Sequence, residues 1–320
     1  MRTTRFSACV LLFVASGWLP AEPLARDKSA FSPPASFRVD VIGRGRPMIL
    51  IPGLSSSGET WKSTVARSQN RFQCHVLTLA GFAGVPPIAE PLLPKVRQEL
   101  AAYIRSERLD RPVIVGHSLG GTLALALAAD HPSLVGALVI VDTVPFIAGA
   151  QFQAKTLEEA KPNIAAMEAY FAAITQKQYD DYVSAGTATM WMVTKPADLE
   201  KLKEWGMQSD RRTVADALVE LTKMDLRPDL QRITSPTLLL GTWIGLKAQM
   251  EKFGRTMERV EFIKTFQEQY ATLARLHFAM SDNARHFVML DDPAWFFEKL
   301  DAFLADPDRA VRTRGFSDGK

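Results

Sequence analysis

The sequence predicts an α/β fold with a mostly parallel sheet, helices on both faces of the sheet and a helical cap insertion. Three observations support this prediction. Short apolar runs alternate with helical segments from residue 37 to residue 141, which is the pattern of successive βαβ units. Helical periodicity alone fills residues 145–233, and strand-like runs return at residues 237–240 and 276–279.

The first strands are predicted from residue 37 onward. Phe37–Gly43 alternates apolar and polar residues, as a strand does. Gly43-Arg44-Gly45, which follows, predicts a hairpin turn. A nucleotide-binding loop is not predicted there, because a lone G-x-G is too weak a signal for one. The continuous apolar run Met48–Ile51 is typical of a strand covered on both faces. The elements predicted next are a strand at 74–79, a helix at 92–104, a strand at 113–115, a buried helix at 119–129 and a buried strand at 137–141.

The second half of the chain is dominated by the insertion. Apolar residues recur there at helical spacing, as in Met167, Phe171, Ile174, then Leu199, Leu202, Trp205, then Val214, Leu218, Leu221. A closing helix is predicted at 294–304, capped by Asp291 and Asp292 with Pro293 at its start. The predicted domain boundaries are a signal peptide at 1–25, a linker at 26–36, an α/β core at 37–144 and 234–308, a helical cap at 145–233 and a disordered tail at 309–320.

Composition narrows the classes of function. Hydrophobic residues make up 47% and charged residues 23% of the 320 residues, which is ordinary for a globular protein, and the formal net charge is +3. The Lys and Arg residues are scattered and form no stripe with aromatic residues, so nucleic-acid binding is not expected. Because the histidines are dispersed and no H-E-x-x-H motif or cysteine pair occurs, no metal and no other cofactor is expected.

The amino-terminal 25 residues predict an export signal. A basic start at Met1–Arg5 precedes a short apolar run at Phe6–Pro20, and cleavage could follow Ala21 or Ala25. The apolar run is too short for a comfortable membrane span, and no other stretch predicts one. The protein is therefore expected in the periplasm or outside the cell, with a buried helix of the fold as the alternative interpretation of this run.

A nucleophile is predicted at Ser118. The pattern Gly116-His117-Ser118-Leu119-Gly120 directly follows an apolar strand and directly precedes an apolar helix. A sharp strand-to-helix turn with small residues around the serine exposes its hydroxyl group for attack. The same turn puts the Leu119 amide at a helix N-terminus, where developing negative charge is favoured. The alternative is a glycine-rich turn with a capping serine, which the flanking strand and helix disfavour.

His286 is the predicted general base, because a serine hydroxyl needs a base at neutral pH. Among the five histidines, His286 lies in the loop between the last strand and the last helix. The carboxyl ends of parallel strands share one side of the sheet, so this loop should lie near the serine. His75 and His277 lie in predicted strands, His131 ends a helix, and His117 sits inside the serine turn and is expected to point elsewhere.

The donors for an oxyanion are predicted in a loop after an early strand. Gly53 permits a tight turn in the segment IPGLSSSG, and the Leu54 N–H can then point toward Ser118. The Leu119 N–H would be the second donor. A plain surface turn is the alternative interpretation.

Taken in order, the segments IPGLSSSG, GHSLGG, SPTLLLG and ARHFVMLDDP, with the helical insertion between the second and the third, resemble the α/β-hydrolase fold superfamily in its esterase-like (carboxylesterase) branch. The resemblance covers residues 37–304. It implies an α/β-hydrolase fold, a Ser118 nucleophile, a His286 base and the Leu54 and Leu119 amides as the oxyanion hole. Dehalogenase and epoxide-hydrolase chemistry is disfavoured, because those relatives carry Asp at the position of Ser118.

The acid of the triad departs from the pattern of this superfamily. Many relatives carry it directly after the strand that here reads TLLLG, but residues 242–244 are Thr, Trp and Ile, and no carboxylate follows until Glu251. Asp142 is the first candidate, since it ends the strand at 137–141 and some members of the fold place their acid there. Asp282 is the second candidate because it is close to His286 in sequence.

These residues together predict a serine hydrolase that cleaves carboxylic esters through an acyl-enzyme. The insertion is rich in apolar and aromatic residues, so a small to medium apolar ester is the expected partner, bound between cap and sheet. Lactonase, thioesterase and amidase chemistry would use the same residues. A non-catalytic protein of the same fold that binds a small molecule is the second alternative.

Overall fold

Seven strands form one sheet in the computed structural model, which describes residues 34–252, 254 and 256–308. The order across the sheet is β1-β3-β2-β4-β5-β6-β7, and every neighbouring pair is parallel except β1 with β3. The predicted, mostly parallel sheet is therefore confirmed. The strands are β1 Phe37–Gly43, β2 Arg46–Ile51, β3 Phe72–Leu79, β4 Val113–His117, β5 Ala137–Val141, β6 Thr237–Gly241 and β7 Leu276–Met280.

The predicted signal peptide at residues 1–25, linker residues 26–33 and the tail at 309–320 lie outside the described residues. The end of the predicted linker is described and is attached to the core. Ser36 is buried, and both its N–H and its hydroxyl donate to the Glu99 carboxylate at 2.8 Å. Its carbonyl accepts from the Ala80 N–H at 2.9 Å.

The hairpin predicted at Gly43-Arg44-Gly45 is wrong, because β3 lies between β1 and β2 in the sheet. The two glycines instead allow a close backbone approach. Gly43 has a φ of 87°, and a Cβ there would lie 2.5 Å from the Gln69 carbonyl oxygen. Gly45 has a φ of 112°, and its Cβ would lie 2.2 Å from the Arg71 carbonyl oxygen. The alternating pattern of β1 indicated a strand but not which strand would pair with it.

Twelve α helices accompany the sheet in the described part of the chain. The segment between β5 and β6 contains five of them, at the position where the helical insertion was predicted. The helices are α1 Lys62–Ser68, α2 Leu92–Ser106, α3 Leu119–Asp130, α4 Ile147–Phe152, α5 Leu157–Ala173, α6 Gln176–Ser184, α7 Pro196–Met207, α8 Arg211–Thr222, α9 Ile244–Lys252, α10 Arg259–Gln269, α11 Val288–Asp291 and α12 Pro293–Ala305.

Helices α9 and α10, between β6 and β7, were not predicted. The sequence does contain a signal for α10. Glu258 and Glu261 form a reciprocal capping box at its start, and its buried residues Phe262, Ile263 and Phe266 follow at helical spacing.

The buried side chains show how the insertion is attached. Alternate residues of the central strands enter two apolar clusters on opposite faces of the sheet, as strand geometry requires. Helix α8 adds Ala217 and Leu221 to one cluster, and α7 adds Leu202 and Trp205 to the other. The insertion thus packs into both cores, while the domain boundaries at 144 and 234 stay a prediction. None of the described helices is long and apolar enough to cross a membrane.

Candidate active site

Ser118 occupies a strained turn between β4 and α3, with a φ of 53° and a ψ of −121°. Non-glycine residues rarely adopt a positive φ, and such strain is concentrated at functional sites. The flanking glycines explain how the turn fits. A Cβ on Gly116 would lie 2.3 Å from the Gly120 carbonyl oxygen, and a Cβ on Gly120 would lie 2.3 Å from the Ile51 carbonyl oxygen. A larger residue at Gly120 would push the turn away from β2, and a larger residue at Gly116 would push β4 away from the start of α3.

The loop after β2 lies against this turn. A Cβ on Gly53 would be 3.2 Å from the Cβ of Ser118, so the loop backbone runs directly beside the serine. The Ser56 N–H donates to the Gly53 carbonyl at 3.3 Å and closes a tight turn around Leu54. Leu119 is the first residue of α3, where backbone N–H groups have no partner within the helix. Both predicted oxyanion donors therefore belong to segments that flank Ser118.

His286 and Asp142 are hydrogen bonded. The Nδ1 atom of His286 lies 2.7 Å from Oδ2 of Asp142, and the two side chains are 25% and 12% exposed. The contact predicted between these residues is present, although they are 144 positions apart in the sequence. Because Nδ1 faces a carboxylate, it carries the proton, and Nε2 is the ring nitrogen left to accept one.

The Asp142 carboxylate is held in place by Thr242, the residue that follows the neighbouring strand β6. Its Oδ1 accepts from the Thr242 N–H at 2.9 Å, and its Oδ2 accepts from the Thr242 hydroxyl at 2.8 Å. Its own N–H donates to the Leu240 carbonyl at 2.8 Å, and its φ is 48°. Thr242 occupies the position at which relatives often carry their acid, and sequence reasoning missed its role because only the lack of a carboxylate was considered.

Asp282, the second candidate acid, faces other partners. Its Oδ1 accepts from the Trp243 indole N–H at 2.8 Å and from the Arg259 Nε at 2.6 Å. Its side chain is 52% exposed. Asp282 therefore links the start of the β6–β7 connection to α10, and the carboxylate beside His286 belongs to Asp142.

The expectation that His117 points away from the site is wrong. Its ring packs against the ring of His286 at a centroid distance of 4.5 Å, and its Nε2 lies 3.0 Å from the His286 carbonyl oxygen. A carbonyl only accepts, so Nε2 of His117 carries the proton. Burial, and secondarily the neighbouring His286, lower the pKa of His117 well below its usual value of 6.5. His117 thus remains neutral and holds the backbone at His286. We call the loop between β7 and α11, which contains His286, the histidine loop.

The predicted caps of the last helix divide into two roles. Asp292 caps α12, since its carboxylate accepts from the Trp295 N–H at 3.3 Å. Asp291 does not cap the helix. One of its oxygens accepts from both the N–H and the hydroxyl of Thr194 at 2.8 Å, and the other accepts from the Arg285 N–H at 2.9 Å. Its partner Thr194 lies far away in sequence, so the capping pattern alone could not reveal this contact.

Arg285 completes the attachment of the insertion to the histidine loop. Its Nη1 donates to the carbonyls of Met190 and Val193 at 2.7 and 2.8 Å. The Phe287 N–H donates to the Met192 carbonyl at 3.1 Å. The Arg285 side chain and the Phe287 backbone, on either side of His286, are therefore both bonded to the segment between α6 and α7.

The three remaining histidines lie in other surroundings. His75, in β3, is buried, and its Nδ1 lies 2.7 Å from the Tyr103 hydroxyl, whereas His131 follows the end of α3. His277 lies in β7. In residues 34–252, 254 and 256–308, no group of three or more His, Cys, Asp and Glu side chains is arranged to hold a metal ion.

Comparisons with known proteins address the family and the fold of the chain. The model of the alpha/beta hydrolase family matches residues 48–299. A pimeloyl-(acyl-carrier protein) methyl ester esterase of Vibrio atlanticus is 26% identical over 208 residues, covering 62% of this chain and 76% of the relative. The enzyme of the same name from Aeromonas hydrophila is 23% identical over 278 residues, covering 84% and 99%. The solved esterase EaEST from Exiguobacterium antarcticum shares the fold, with a TM-score of 0.65 at 16% identity over 84% of this chain and 95% of that one.

Proposed function

The chain belongs to the alpha/beta hydrolase family, as its motifs predicted, and we propose that it is a serine hydrolase that cleaves carboxylic esters through an acyl-enzyme. The observation that carries this proposal is the 2.7 Å hydrogen bond between His286 and Asp142 at the edge of the sheet that also bears the strained Ser118 turn. A base held by a carboxylate, together with a serine in a strained turn at the same edge of the sheet, is the arrangement required for acyl transfer.

The proposed reaction proceeds in two steps. Nε2 of His286 accepts the Ser118 proton while the hydroxyl oxygen attacks the ester carbonyl, and the Leu54 and Leu119 amides stabilise the oxyanion. Collapse of this intermediate releases the alcohol, which takes the proton from His286, and leaves Ser118 acylated. Water then gives a proton to His286 and attacks the acyl group, and collapse of the second intermediate releases the acid while His286 returns the proton to the Ser118 oxygen. Asp142 orients the imidazole and stabilises it when it is charged.

Two features support an apolar ester as the substrate. The insertion next to the site contains exposed apolar side chains, among them Tyr170, Tyr182 and Met190. The relatives from Vibrio and Aeromonas act, by their names, on a methyl ester of an acyl group. We therefore propose a small to medium apolar acyl ester as the substrate. The experiment described next also tests lactone, thioester and amide substrates.

The test combines a fluorophosphonate probe with a substrate panel. We expect the probe to add once to the wild-type protein and not to Ser118→Ala, as read by intact mass. We expect the highest kcat/KM on esters within a panel that offers one acyl group as ester, lactone, thioester and amide and then varies acyl length. Ser118→Ala and His286→Ala should each lower turnover by several orders of magnitude without loss of the folded state.

The matched control is Ser184→Ala, which removes an exposed hydroxyl from α6, remote from Ser118 in sequence. It should react and turn over like the wild type. A wild-type protein that binds the ester but neither reacts with the probe nor releases acid would instead be a non-catalytic binding protein and would refute the proposal.

We also propose that the protein is exported, on the basis of residues 1–25 alone. A basic start, an apolar run and small residues after the run support a removable signal peptide. Intact-mass measurement of protein recovered from the periplasm or the medium should give a mature chain that begins near Arg26. Soluble cytosolic protein that retains Met1 would refute export.

A further inference from the structure

The loop that carries Leu54 contains a strained residue, as the Ser118 turn does. Ser55 has a φ of 55°, a conformation that a serine adopts only at a cost in free energy. The turn from Gly53 to Ser56 depends on this conformation, and the turn sets the direction of the Leu54 N–H. A contact that holds Ser55 would therefore also hold the proposed oxyanion donor.

That contact comes from the insertion. The Ser55 hydroxyl lies 3.0 Å from the hydroxyl of Ser209, in the turn between α7 and α8. The Ser209 hydroxyl donates its one proton to the Trp205 carbonyl at 2.7 Å, and it accepts from the Ala83 N–H at 3.0 Å. Ser55 must then be the donor in its bond with Ser209, and all the hydrogen-bonding capacity of the Ser209 hydroxyl is used.

The turn that carries Ser209 is itself fixed to the core. The Asp210 N–H donates to the Gly81 carbonyl at 2.7 Å, and the Gly84 N–H donates to the Gln208 carbonyl at 3.0 Å. Ser209 is only 7% exposed. The hydroxyl that meets Ser55 is therefore presented by backbone bonded on both sides, which is what a rigid support for a strained loop requires.

We propose that Ser209 is a positioning residue: through its hydrogen bond to Ser55 it holds the strained turn that aims the Leu54 amide at the oxyanion. The inference rests on the proposed function of Ser118. The insertion thus contributes to the reaction as well as packing into both cores. Ser209 does not touch the reacting atoms, so its loss should weaken binding of the tetrahedral intermediate more than binding of the substrate.

The experiment compares Ser209→Ala, Ser55→Ala and the double variant with the control Ser184→Ala, which removes an insertion hydroxyl bonded to the Asp181 carbonyl. Loss of one neutral hydrogen bond should lower kcat roughly three- to tenfold with little change in KM. Affinity for a trifluoromethyl ketone, which forms a tetrahedral adduct with the serine, should fall by a similar factor. The kcat of the double variant should be no lower than that of Ser55→Ala, because, of the three bonds of the Ser209 hydroxyl, the bond to Ser55 is the one that reaches the turn carrying Leu54.

A rescue variant distinguishes positioning from general damage. Glycine adopts a positive φ freely, so Ser55→Gly in the Ser209→Ala background should recover part of the lost kcat. Equal kcat in Ser209→Ala and Ser184→Ala would overturn the proposal, as would additive losses in the double variant or a loss in KM alone.

Hydrogen exchange separates this inference from the proposed function. The amides of residues 53–57 should exchange faster in Ser209→Ala than in Ser184→Ala, whether or not the protein hydrolyses esters. Unchanged exchange would show that Ser209 does not hold the turn that contains Ser55. Faster exchange with unchanged kcat in an active enzyme would overturn the positioning role. If exchange is faster but Ser118→Ala does not change ester turnover, Ser209 holds the turn and the proposed function is refuted.

Discussion

The ends of two neighbouring strands, β5 and β6, carry side chains of opposite character. Asp142 follows β5 and binds His286 through its carboxylate at 2.7 Å. Thr242 follows β6 and donates to the same carboxylate through its N–H at 2.9 Å and its hydroxyl at 2.8 Å. One strand end supplies the acceptor and the other supplies the donors. The strand end without a carboxylate, after β6, is therefore the one that holds the carboxylate after β5 in place.

The two strand ends also differ in backbone conformation. Asp142 has a φ of 48°, in a region that Asp and Asn tolerate better than most residues and β-branched residues avoid. Among the described residues, Thr242 is not one of those with positive φ. The acid thus occupies the strained end, where its short polar side chain is suited to the backbone, and the β-branched donor occupies the relaxed end.

The largest effect that tests this comparison is expected for Asp142→Asn. The amide can donate to Nδ1 of His286 and so favour the imidazole tautomer that cannot accept the serine proton. We expect kcat/KM for the best ester to fall by a factor on the order of 10⁴. Thermal unfolding should show that the protein remains folded.

Asp282→Asn is the matched control, because it makes the same change at the other candidate acid, which faces Trp243 and Arg259. It should retain most of the wild-type activity. If Asp282→Asn proved the more damaging of the two variants, the assignment of roles to the strand ends would be wrong.

A smaller effect should come from moving the acid from one strand end to the other. The Thr242 hydroxyl lies 2.8 Å from the carboxylate oxygen that meets His286, so an aspartate at position 242 would bring its charge near Nδ1. We expect Thr242→Asp to restore at least roughly tenfold of the activity lost in Asp142→Ala, a recovery of about 1.4 kcal/mol. Steady-state kinetics of the double variant measure this.

The control for this relocation is Thr242→Asn in the Asp142→Ala background, which has the same shape without the charge. It should restore nothing. Equal rates in the two double variants would show that β6 cannot host the acid in this protein.

A still smaller loss is expected for Thr242→Val. Valine keeps the backbone N–H and the β-branched shape but removes the hydroxyl donor to the Asp142 carboxylate. A hydrogen bond to a charged group contributes about 1.5–3 kcal/mol, of which water and the remaining N–H can replace part, so kcat should fall roughly tenfold. Thr242→Ser, which keeps the donor, should stay near the wild type, and a Ser variant as slow as the Val variant would exclude the hydroxyl as the cause.

What the sequence could predict of this site follows from the locality of its signals. The Ser118 turn, the His286 loop and Asp142 each follow a recognisable strand, and parallel strands place their carboxyl ends at one edge. The hydrogen bonds that support the site have no such local signal. Thr242 is 100 positions from Asp142, Ser209 is 154 from Ser55, and His117 is 169 from His286.

The same limit applies to the fold. The βαβ rhythm predicted the parallel sheet, but a pattern of alternating residues did not show that β3 lies between β1 and β2. Pairing depends on strand order, which hydrophobic periodicity does not encode. Contacts such as those of Thr242 with Asp142 depend on that order, because they exist only where β5 and β6 are neighbours.

The end of a third strand, β4, extends the comparison from turnover to stability, where the smallest effect is expected. His117 holds the His286 carbonyl and stays neutral, because burial lowers its pKa well below 6.5. In the unfolded chain this histidine binds a proton below about pH 6.5, whereas in the folded protein burial lowers its pKa, so that it binds the proton only at a pH well below 6.5. The free energy of unfolding should therefore fall as the pH drops below 6.5, by up to about 1.4 kcal/mol per pH unit for this group. His75, whose pKa burial also lowers, adds to the same trend. Denaturant unfolding of the wild type and of His117→Gln, at pH values on either side of 6.5, should show a shallower dependence in the variant. Identical slopes would mean that His117 is protonated in the folded protein and that the end of β4 is not the neutral support described here.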